Sequence, residues 1–309
     1  MRRGAQDRQI RSYRSRAPGW NEPRSQRVDQ GDGHIRADRS VSADLAGSVV
    51  FGANERWGDE LAFTVGDLRE ARLGWAAEIF SLARAACLAP SAGLTSWWTG
   101  DGTTVDRVGG QTAALRGGAG YGQGIVRSAF RLDGVDDYLR VGNAPAVDVD
   151  LGDFTVAAWV RFDSIEGEQV IVEKWLQGGD VPSEGWTLTK LEDGAIRLAV
   201  SAADGYEVAT DTETGAVEPG RWYLITGRRS GSEMTVLIDG AVRASGSLDA
   251  SSGWVLSSPT PLLVGRRSDD RGLFLDGSVD EVQLYRGTAV SDFEIWLQWA
   301  VGPAGLCRS

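Results

Sequence analysis

The chain has 309 residues, 42% of them hydrophobic, and its net charge of −11 corresponds to a pI near 4.7. It is long enough for one large domain and an additional segment. The acidic balance argues against nucleic acid as a partner, because phosphate contacts need basic surfaces. The single histidine, His34, leaves the remainder of the chain without the usual metal-hydrolase and Ser/Cys-His mechanisms. No apolar run approaches the roughly 20 residues of a membrane helix.

Residues 1–58 are predicted to form a disordered, arginine-rich arm. Ten arginines lie between Arg2 and Arg39, with few aliphatic residues among them. Such a segment buries too little apolar surface to offset its loss of conformational entropy. Two alternatives are a basic arm that binds nucleic acid or an acidic polymer and an upstream extension from a misplaced start codon. No signal peptide is visible at the start, where Arg2 and Arg3 precede polar residues.

Residues 59–86 are predicted to form a helical linker or a degenerate export signal. Apolar residues recur at helical intervals from Leu61 to Ala83. The export alternative depends on the apolar run 73–77, which follows two arginines, and on the small residues at Ala83 and Ala85. Glu78 interrupts that run.

From Leu94 onward, short runs of alternating polarity predict an all-β domain. In the run 154–162, Phe154, Val156 and Val160 share one face while Trp159 lies on the other. Two Asp-Gly pairs, at 193–194 and 239–240, separate further runs and indicate tight hairpins. Residues 291–299 are predicted to form one short helix, with Ser291 as N-cap and Glu294 completing a capping box.

Five segments resemble, in the same order, motifs of bacterial laminin G-like jelly-roll domains, which have the concanavalin A-like lectin/glucanase fold. The segments are 93–102, 106–115, 129–138, 154–160 and 277–285; the third is similar to the family's F-x-G-x-x-D-Y hairpin. The resemblance implies a two-sheet jelly-roll sandwich over residues 87–309. It does not identify a ligand, because this fold occurs in lectins, adhesion modules and glycosidases.

The two cysteines, Cys87 and Cys307, bracket this module, and relatives often carry a cysteine at each such end. We therefore expect a disulfide, and with it a secreted or cell-surface location. Two unrelated buried thiols, or a lipoprotein cysteine at Cys87, are the alternatives. Arg84 argues against the second, because a leucine-like residue would be expected there.

The sequence predicts a non-catalytic module that binds a carbohydrate or a cell-surface ligand. Glycosidases of this fold carry Glu-x-Asp-x-x-Glu on one strand face, and the chain lacks that string. Trp175 and Trp254 are the tryptophans expected to be exposed as sugar platforms. The alternatives are an adhesion module with an extracellular protein partner and a glycosidase with a different carboxylate arrangement.

A structural Ca²⁺ is the one cofactor expected. Alternation places Asp280 on the apolar face of its strand with Val282 and Leu284, where a carboxylate must be balanced. In laminin G-like relatives a structural Ca²⁺ commonly joins the first turn to the last strand, which implies as ligands Asp280 with Asp106, or Asp280 with backbone oxygens around Gly109 and Gly110. A hydrogen-bonded or arginine-paired Asp280 is the alternative.

Overall fold

The computed structural model describes residues 41–43, 49–51, 61–62, 87–150, 152–176, 183–201, 207–248, 256–269 and 271–308. Three short strands form one antiparallel sheet in the first compact unit, Met1–Ile79: β1 (Val41–Ala43), β2 (Val49–Phe51) and β3 (Leu61–Ala62). Strands β1 and β2 lie in the segment predicted to be a disordered arm, and β3 lies in the segment predicted to be a helical linker or export signal. The remaining residues of both segments fall outside the described part of the chain.

The second unit, Phe80–Ser309, contains two large antiparallel sheets. Their strands are β4 (Leu94–Trp98), β5 (Ala113–Arg116), β6 (Gly120–Gln123), β7 (Ser128–Asp133), β8 (Tyr138–Val141), β9 (Phe154–Phe162), β10 (Gln169–Leu176), β11 (Glu184–Lys190), β12 (Ile196–Ser201), β13 (Glu207–Asp211), β14 (Trp222–Ser230), β15 (Glu233–Ile238), β16 (Ala241–Ser247), β17 (Leu262–Val264) and β18 (Asp276–Arg286).

The seven-stranded sheet has the order β13-β12-β11-β10-β17-β8-β5. The eight-stranded sheet has the order β16-β15-β14-β9-β18-β7-β6, with β4 paired to β18. One helix, α1 (Asp292–Val301), follows the last strand, and 3₁₀ turns lie at Pro145–Val147 and Gly302–Ala304. The predicted all-β, two-sheet architecture is confirmed.

The main core lies between the two sheets, and strand β9 shows how alternation creates it. Phe154, Val156 and Val160 belong to this core, whereas Trp159 lies in a second apolar cluster with Tyr285 and Ile295. Ile295 is a residue of α1, so the second cluster lies between the helix and the outer side of the eight-stranded sheet. The opposite orientations predicted for β9 are therefore confirmed.

Of the two predicted Asp-Gly hairpins, the one at 193–194 is looser than expected, because residues 191–195 connect β11 to β12 and only Gly194, with φ of 79°, is left-handed. The other predicted local signals form as expected. Asp239 and Gly240 connect β15 to β16 with φ of 54° and 76°, the left-handed values that a tight hairpin requires. At the start of α1, the Ser291 side chain accepts from the Glu294 backbone N–H, and the Glu294 side chain accepts from the Ser291 backbone N–H. This capping box satisfies two N–H groups at the helix N-terminus.

The predicted disulfide is present between Cys87 and Cys307. Their Cα atoms lie 4.7 Å apart, within the limit for a bridge, and the sequence separation is 220 residues. The bond is accompanied by backbone pairing, since the Cys307 N–H donates to the Leu88 carbonyl over 2.7 Å. The two ends of the jelly-roll module are thus fastened to each other, and the segment containing Arg308 is held in place.

Candidate functional site

The first candidate site is the outer face of the seven-stranded sheet, which points away from the eight-stranded sheet. Strand register places Glu173 of β10 between Leu263 of β17 and Thr187 of β11. Their sequence neighbours Val172 and Leu188 belong to the inter-sheet core. Because successive side chains of a strand point to opposite faces, Glu173 and its row lie on the outer face.

Glu173 and Arg267 form a buried ion pair on this face. The Arg267 guanidinium lies 3.5 Å from the Glu173 carboxylate, and neither side chain is more than 7% exposed. The Ser268 backbone N–H and the Thr187 hydroxyl also donate to Glu173. Burial raises the pKa of Glu173 to about 7, although the Arg267 charge and the bond from Ser268 act in the opposite direction. The Glu173 carboxylate is therefore fully paired within the protein and buried away from solvent.

Trp175 lies beside this pair and is not exposed, so the prediction that it forms an exposed platform is wrong. Its relative exposure is 1%, and the Arg267 guanidinium lies 5.7 Å from its ring centre. The sequence of β10 gives no sign that the segment after β17 crosses its outer face. Trp254, the other predicted ligand contact, lies outside the described residues.

A partly exposed group of aromatic and cationic side chains lies at the β5–β8 end of the same face. We call it the Tyr138 patch; it consists of Arg116, Tyr138, Arg140, Arg266 and Phe274. Arg116 is paired with Tyr138 in the strand register, and Arg140 is two residues farther along β8. The Arg266 guanidinium lies 4.9 Å from the Tyr138 ring centre and 5.5 Å from that of Phe274.

The Tyr138 patch was not predicted from the sequence. Tyr138 was recognised only as part of a family motif, although its alternation with Arg140 already placed both side chains on one face. Strand pairing then adds Arg116, and the turn after β17 adds Arg266. Arg116 and Arg140 are exposed, while Tyr138, Arg266 and Phe274 are half-buried. This surface can contact both an apolar sugar face and a negative charge.

The second candidate site surrounds the predicted metal ligand Asp280, and here a prediction needs correction. Asp280 pairs with Trp159 of β9, which faces α1 and not the inter-sheet core. A β-bulge at Glu281, whose φ is 52°, inserts one residue, so Val282 returns to the core while Asp280 does not share its face. Asp280 is nevertheless fully buried.

The bulge brings several charges together around Asp280. One of its oxygens accepts from the Val126 backbone N–H over 2.9 Å, and the other has no hydrogen-bond partner. Burial raises the pKa of Asp280 to about 8; the charges of Glu281 and Asp101 act in the same direction, and the bond from Val126 acts in the opposite direction. We call Asp101, Asp280 and Glu281 the acidic cluster.

Arg308 supplies positive charge to the acidic cluster. Its guanidinium pairs with Glu281 and lies 3.1 Å from Asp101. Burial raises the pKa of Glu281 to about 7, while Arg308 and the indole N–H of Trp97 oppose this increase. Arg127 lies 3.9 Å from Asp101 but is mostly exposed. One buried guanidinium thus pairs with two of the three carboxylates, and a carboxylate oxygen of Asp280 has no hydrogen-bond partner. This donor set fits a hard cation.

Asp106, the other predicted metal ligand, is buried at the first turn and bonded to the backbone. One oxygen accepts from the N–H groups of Trp97 and Val108, over 2.7 and 2.9 Å, and its second oxygen has no hydrogen-bond partner. Trp97 connects the two regions, because its backbone N–H donates to Asp106 and its indole to Glu281. Asp106 and Asp280 therefore accept from different segments, and their joint role as ligands stays a prediction.

A further acidic group, Asp133, Asp136 and Asp137, has carboxylate oxygens within 4.8 Å of one another. These carboxylates organise the β7–β8 turn. Asp133 accepts from the backbone of Val135, and Asp137 accepts from the backbone of Gly118 and Asp133. The pKa of Asp133 is lowered by such backbone bonds. The group is thus explained by the turn.

Comparisons with known proteins agree with this architecture. The model of the concanavalin A-like lectin/glucanases superfamily matches residues 133–295. No curated protein matches the chain. Within the described part of the chain, no helix has the length and apolar character needed to cross a membrane.

Several solved structures share the fold. The binding domain of Paraclostridial Mosquitocidal Protein 1 has 16% identity and a TM-score of 0.55, covering 70% of this chain and 52% of that one. The binding domain of Botulinum Neurotoxin DC in complex with SialylT has 11% identity and a TM-score of 0.54, covering 67% and 51%. This chain thus spans about half the length of the two toxin domains.

Domain 4 of an extracellular arabinanase from Geobacillus stearothermophilus, in complex with arabinotriose, is matched over nearly its whole length. It has 17% identity and a TM-score of 0.52, covering 67% of this chain and 98% of that domain. At these identities the likeness shows the fold alone.

Proposed function

Because this chain belongs to the concanavalin A-like lectin/glucanases superfamily, we propose that its jelly-roll module is non-catalytic and binds glycans through the Tyr138 patch. The observation that carries the proposal is the half-buried Tyr138–Phe274 pair, whose ring centres lie 6.4 Å apart beside exposed arginines. Sugar rings pack their apolar faces on aromatic side chains, and guanidinium groups donate to sugar oxygens.

Structural neighbours support a binding role. Two of them are toxin binding domains, one in complex with SialylT, and a third is an arabinanase domain in complex with arabinotriose. The arabinanase domain supports glycan binding most directly, because it is matched almost completely. An extracellular protein is the alternative ligand.

The outer face also supports a non-catalytic role. Glycosidase chemistry needs two carboxyl groups about 5 to 9.5 Å apart on either side of one sugar. Glu173 is fully buried and paired with Arg267. The Glu207 and Asp211 carboxylates of this face are three strands away on β13, roughly 14 Å at ordinary strand spacing. Asp269, in the loop beside Glu173, is held by Arg271 over 2.8 Å.

We also propose a structural Ca²⁺ at the acidic cluster and a secreted or cell-surface location. Asp280 would hold the ion together with Asp101, which here replaces the Asp106 expected from the resemblance because its charge acts on Asp280. The ion would neutralise the excess negative charge around the free oxygen of Asp280. The location follows from the disulfide, since such bonds persist in oxidising compartments.

A glycan array with the full chain tests the proposed function, and Tyr138→Ala locates the site. We expect binding to at least one glycan class and a loss of about tenfold or more in affinity for Tyr138→Ala, a typical cost of removing an aromatic contact. Tyr121→Ala is the matched control, because Tyr121 is an exposed tyrosine on the eight-stranded sheet. Absence of binding to every glycan, or equal losses in both variants, would contradict the proposal.

A further inference from the structure

Arginines of the described module are mostly neutralised by carboxylates, but those of the Tyr138 patch are not. Eleven arginines lie within ion-pair distance of an Asp or Glu oxygen. Arg116, Arg140 and Arg266 are not among them, and no hydrogen bond of their side chains occurs within the described residues. Three of the described arginines that make no ion pair thus lie together on one part of one sheet face.

The positions of these three arginines relative to Tyr138 show that they form one local group on the sheet face. Arg116 pairs in register with Tyr138, so their Cα atoms lie about 5 Å apart, and Arg140 lies about 7 Å farther along the strand. Arg266 reaches the same tyrosine ring from the turn after β17. Its Nε is buried and has no hydrogen-bond partner. Three arginines therefore lie on one sheet face around Tyr138, and Arg266 retains an unused donor.

The negative charge of the rest of the module favours binding of an anionic polymer at this patch over binding elsewhere on the module. Residues 87–309 contain 18 Lys and Arg and 31 Asp and Glu, a net charge of −13, so an anionic polymer is repelled by most of the module's surface and attracted where its unpaired arginines lie together. Nucleic-acid binding uses more contacts, with typically six to ten phosphates neutralised. Three arginines around an aromatic ring fit a shorter series of charges, spaced by sugar rings.

We propose that the Tyr138 patch binds an anionic glycan, whose carboxylate or sulfate groups are held by its three arginines while a sugar ring contacts Tyr138. This inference rests on the proposed glycan-binding function and adds the chemical class of the ligand. Arginine is suited to the task, since its planar donors match carboxylate and sulfate oxygens.

Matched neutral and charged polysaccharides test the proposal with the full chain. Dextran sulfate is compared with dextran, and polygalacturonate with its methyl ester, in titrations at 50 and 200 mM NaCl. We expect at least tenfold tighter binding of one charged member than of its neutral counterpart, and a weakening at the higher salt concentration. The two pairs distinguish sulfate from carboxylate recognition.

Variants locate the binding. Arg116→Gln, Arg140→Gln and Arg266→Gln should each weaken the charged glycan about tenfold, the scale of one charge-assisted hydrogen bond, and Arg140→Lys should restore part of the loss. Arg107→Gln is the control, because Arg107 is an exposed arginine outside the patch that makes no ion pair among the described residues. Its affinity should equal that of the wild type, and all variants should melt as the wild type does.

The possible outcomes distinguish failure of the anionic-glycan inference from failure of the proposed glycan-binding function. Binding of neutral glycans alone, still sensitive to Tyr138→Ala, overturns the anionic class and leaves the proposed function standing. Binding of no glycan overturns both. Equal losses in Arg140→Gln and Arg107→Gln, or equally tight binding of a single-stranded oligonucleotide, would show attraction by charge without a glycan site and would overturn the inference.

Discussion

Two buried carboxylates, Glu173 and Asp280, show different ways of keeping a charge inside one β-sandwich. Glu173 faces one guanidinium, that of Arg267, and both of its oxygens accept hydrogen bonds. Asp280 has one oxygen bonded to a backbone N–H and one without a partner, and the neighbouring Glu281 and Asp101 are also acidic. The first site is matched in charge, whereas the acidic cluster carries an excess of negative charge.

The difference has a structural origin. Glu173 also follows a β-bulge, between Val170 and Val172, but the segment after β17 brings Arg267 and the Ser268 backbone N–H to it. Asp280 lies beside a bulge at the point where the partner of β18 changes from β7 to β4. A bulge places two consecutive side chains where one would normally fit, so two carboxylates come to act on each other. The segment after β17 thus gives Glu173 a matching guanidinium, whereas the bulge at Glu281 gathers three carboxylates near the single buried guanidinium of Arg308.

The largest effect is expected from opening the disulfide that holds Arg308 beside the acidic cluster. Cys87→Ser/Cys307→Ser should lower the free energy of unfolding by about 5 kcal/mol, the loop-entropy value for a cross-link of this length. Denaturant titration measures the change. Arg308→Gln, with the disulfide intact, separates loss of the cross-link from loss of the guanidinium. Unfolding of the double variant at the wild-type midpoint would show that the bond contributes nothing.

A smaller effect is expected from the dependence of the free energy of unfolding on pH, which arises from the Glu173–Arg267 pair. The pKa of Glu173 is about 7 in the folded protein and about 4.3 when unfolded, so the folded state binds the proton more tightly. The associated stability is fully present below pH 4 and is lost as pH rises to about 8. Relative to Glu173→Gln, the wild type should therefore lose about 3 kcal/mol of unfolding free energy over this range.

The control for this measurement is Glu207→Gln, which removes an exposed carboxylate from the same sheet face. Its pH profile should follow that of the wild type. If the Glu173→Gln profile also ran parallel to the wild type, the burial of Glu173 would not be costing stability. The contrast drawn between Glu173 and the acidic cluster would then no longer hold for Glu173.

Much of the fold could be predicted because it depends on short-range signals. Alternation in β9 assigned Phe154 and Trp159 to opposite faces, and Asp239-Gly240 placed a hairpin. The capped helix at Ser291 follows from side-chain chemistry within one turn. Each of these signals is contained in a few consecutive residues.

The sites were harder to predict, because they depend on pairing between distant segments. A single inserted residue at Glu281 reverses the face of Asp280, and alternation alone cannot detect it. Trp175 is covered by Arg267, some 90 residues later in the chain. The Tyr138 patch needs the pairing of β5 with β8 and the turn after β17.

The smallest expected effect, and the sharpest test of the comparison, is the response to Ca²⁺. An uncompensated carboxylate in the interior is costly, and the one buried guanidinium of the acidic cluster pairs with Asp101 and Glu281 but not with Asp280. An ion bound only by the folded state stabilises it by about 2.7 kcal/mol at a hundredfold excess over its dissociation constant. EDTA should lower the melting temperature, added Ca²⁺ should restore it, and Asp280→Asn should abolish the response. Asp136→Asn, in the exposed acidic turn, should keep it. Equal melting temperatures of the wild type in Ca²⁺ and in EDTA would mean that Arg308 and a retained proton balance the cluster without a metal.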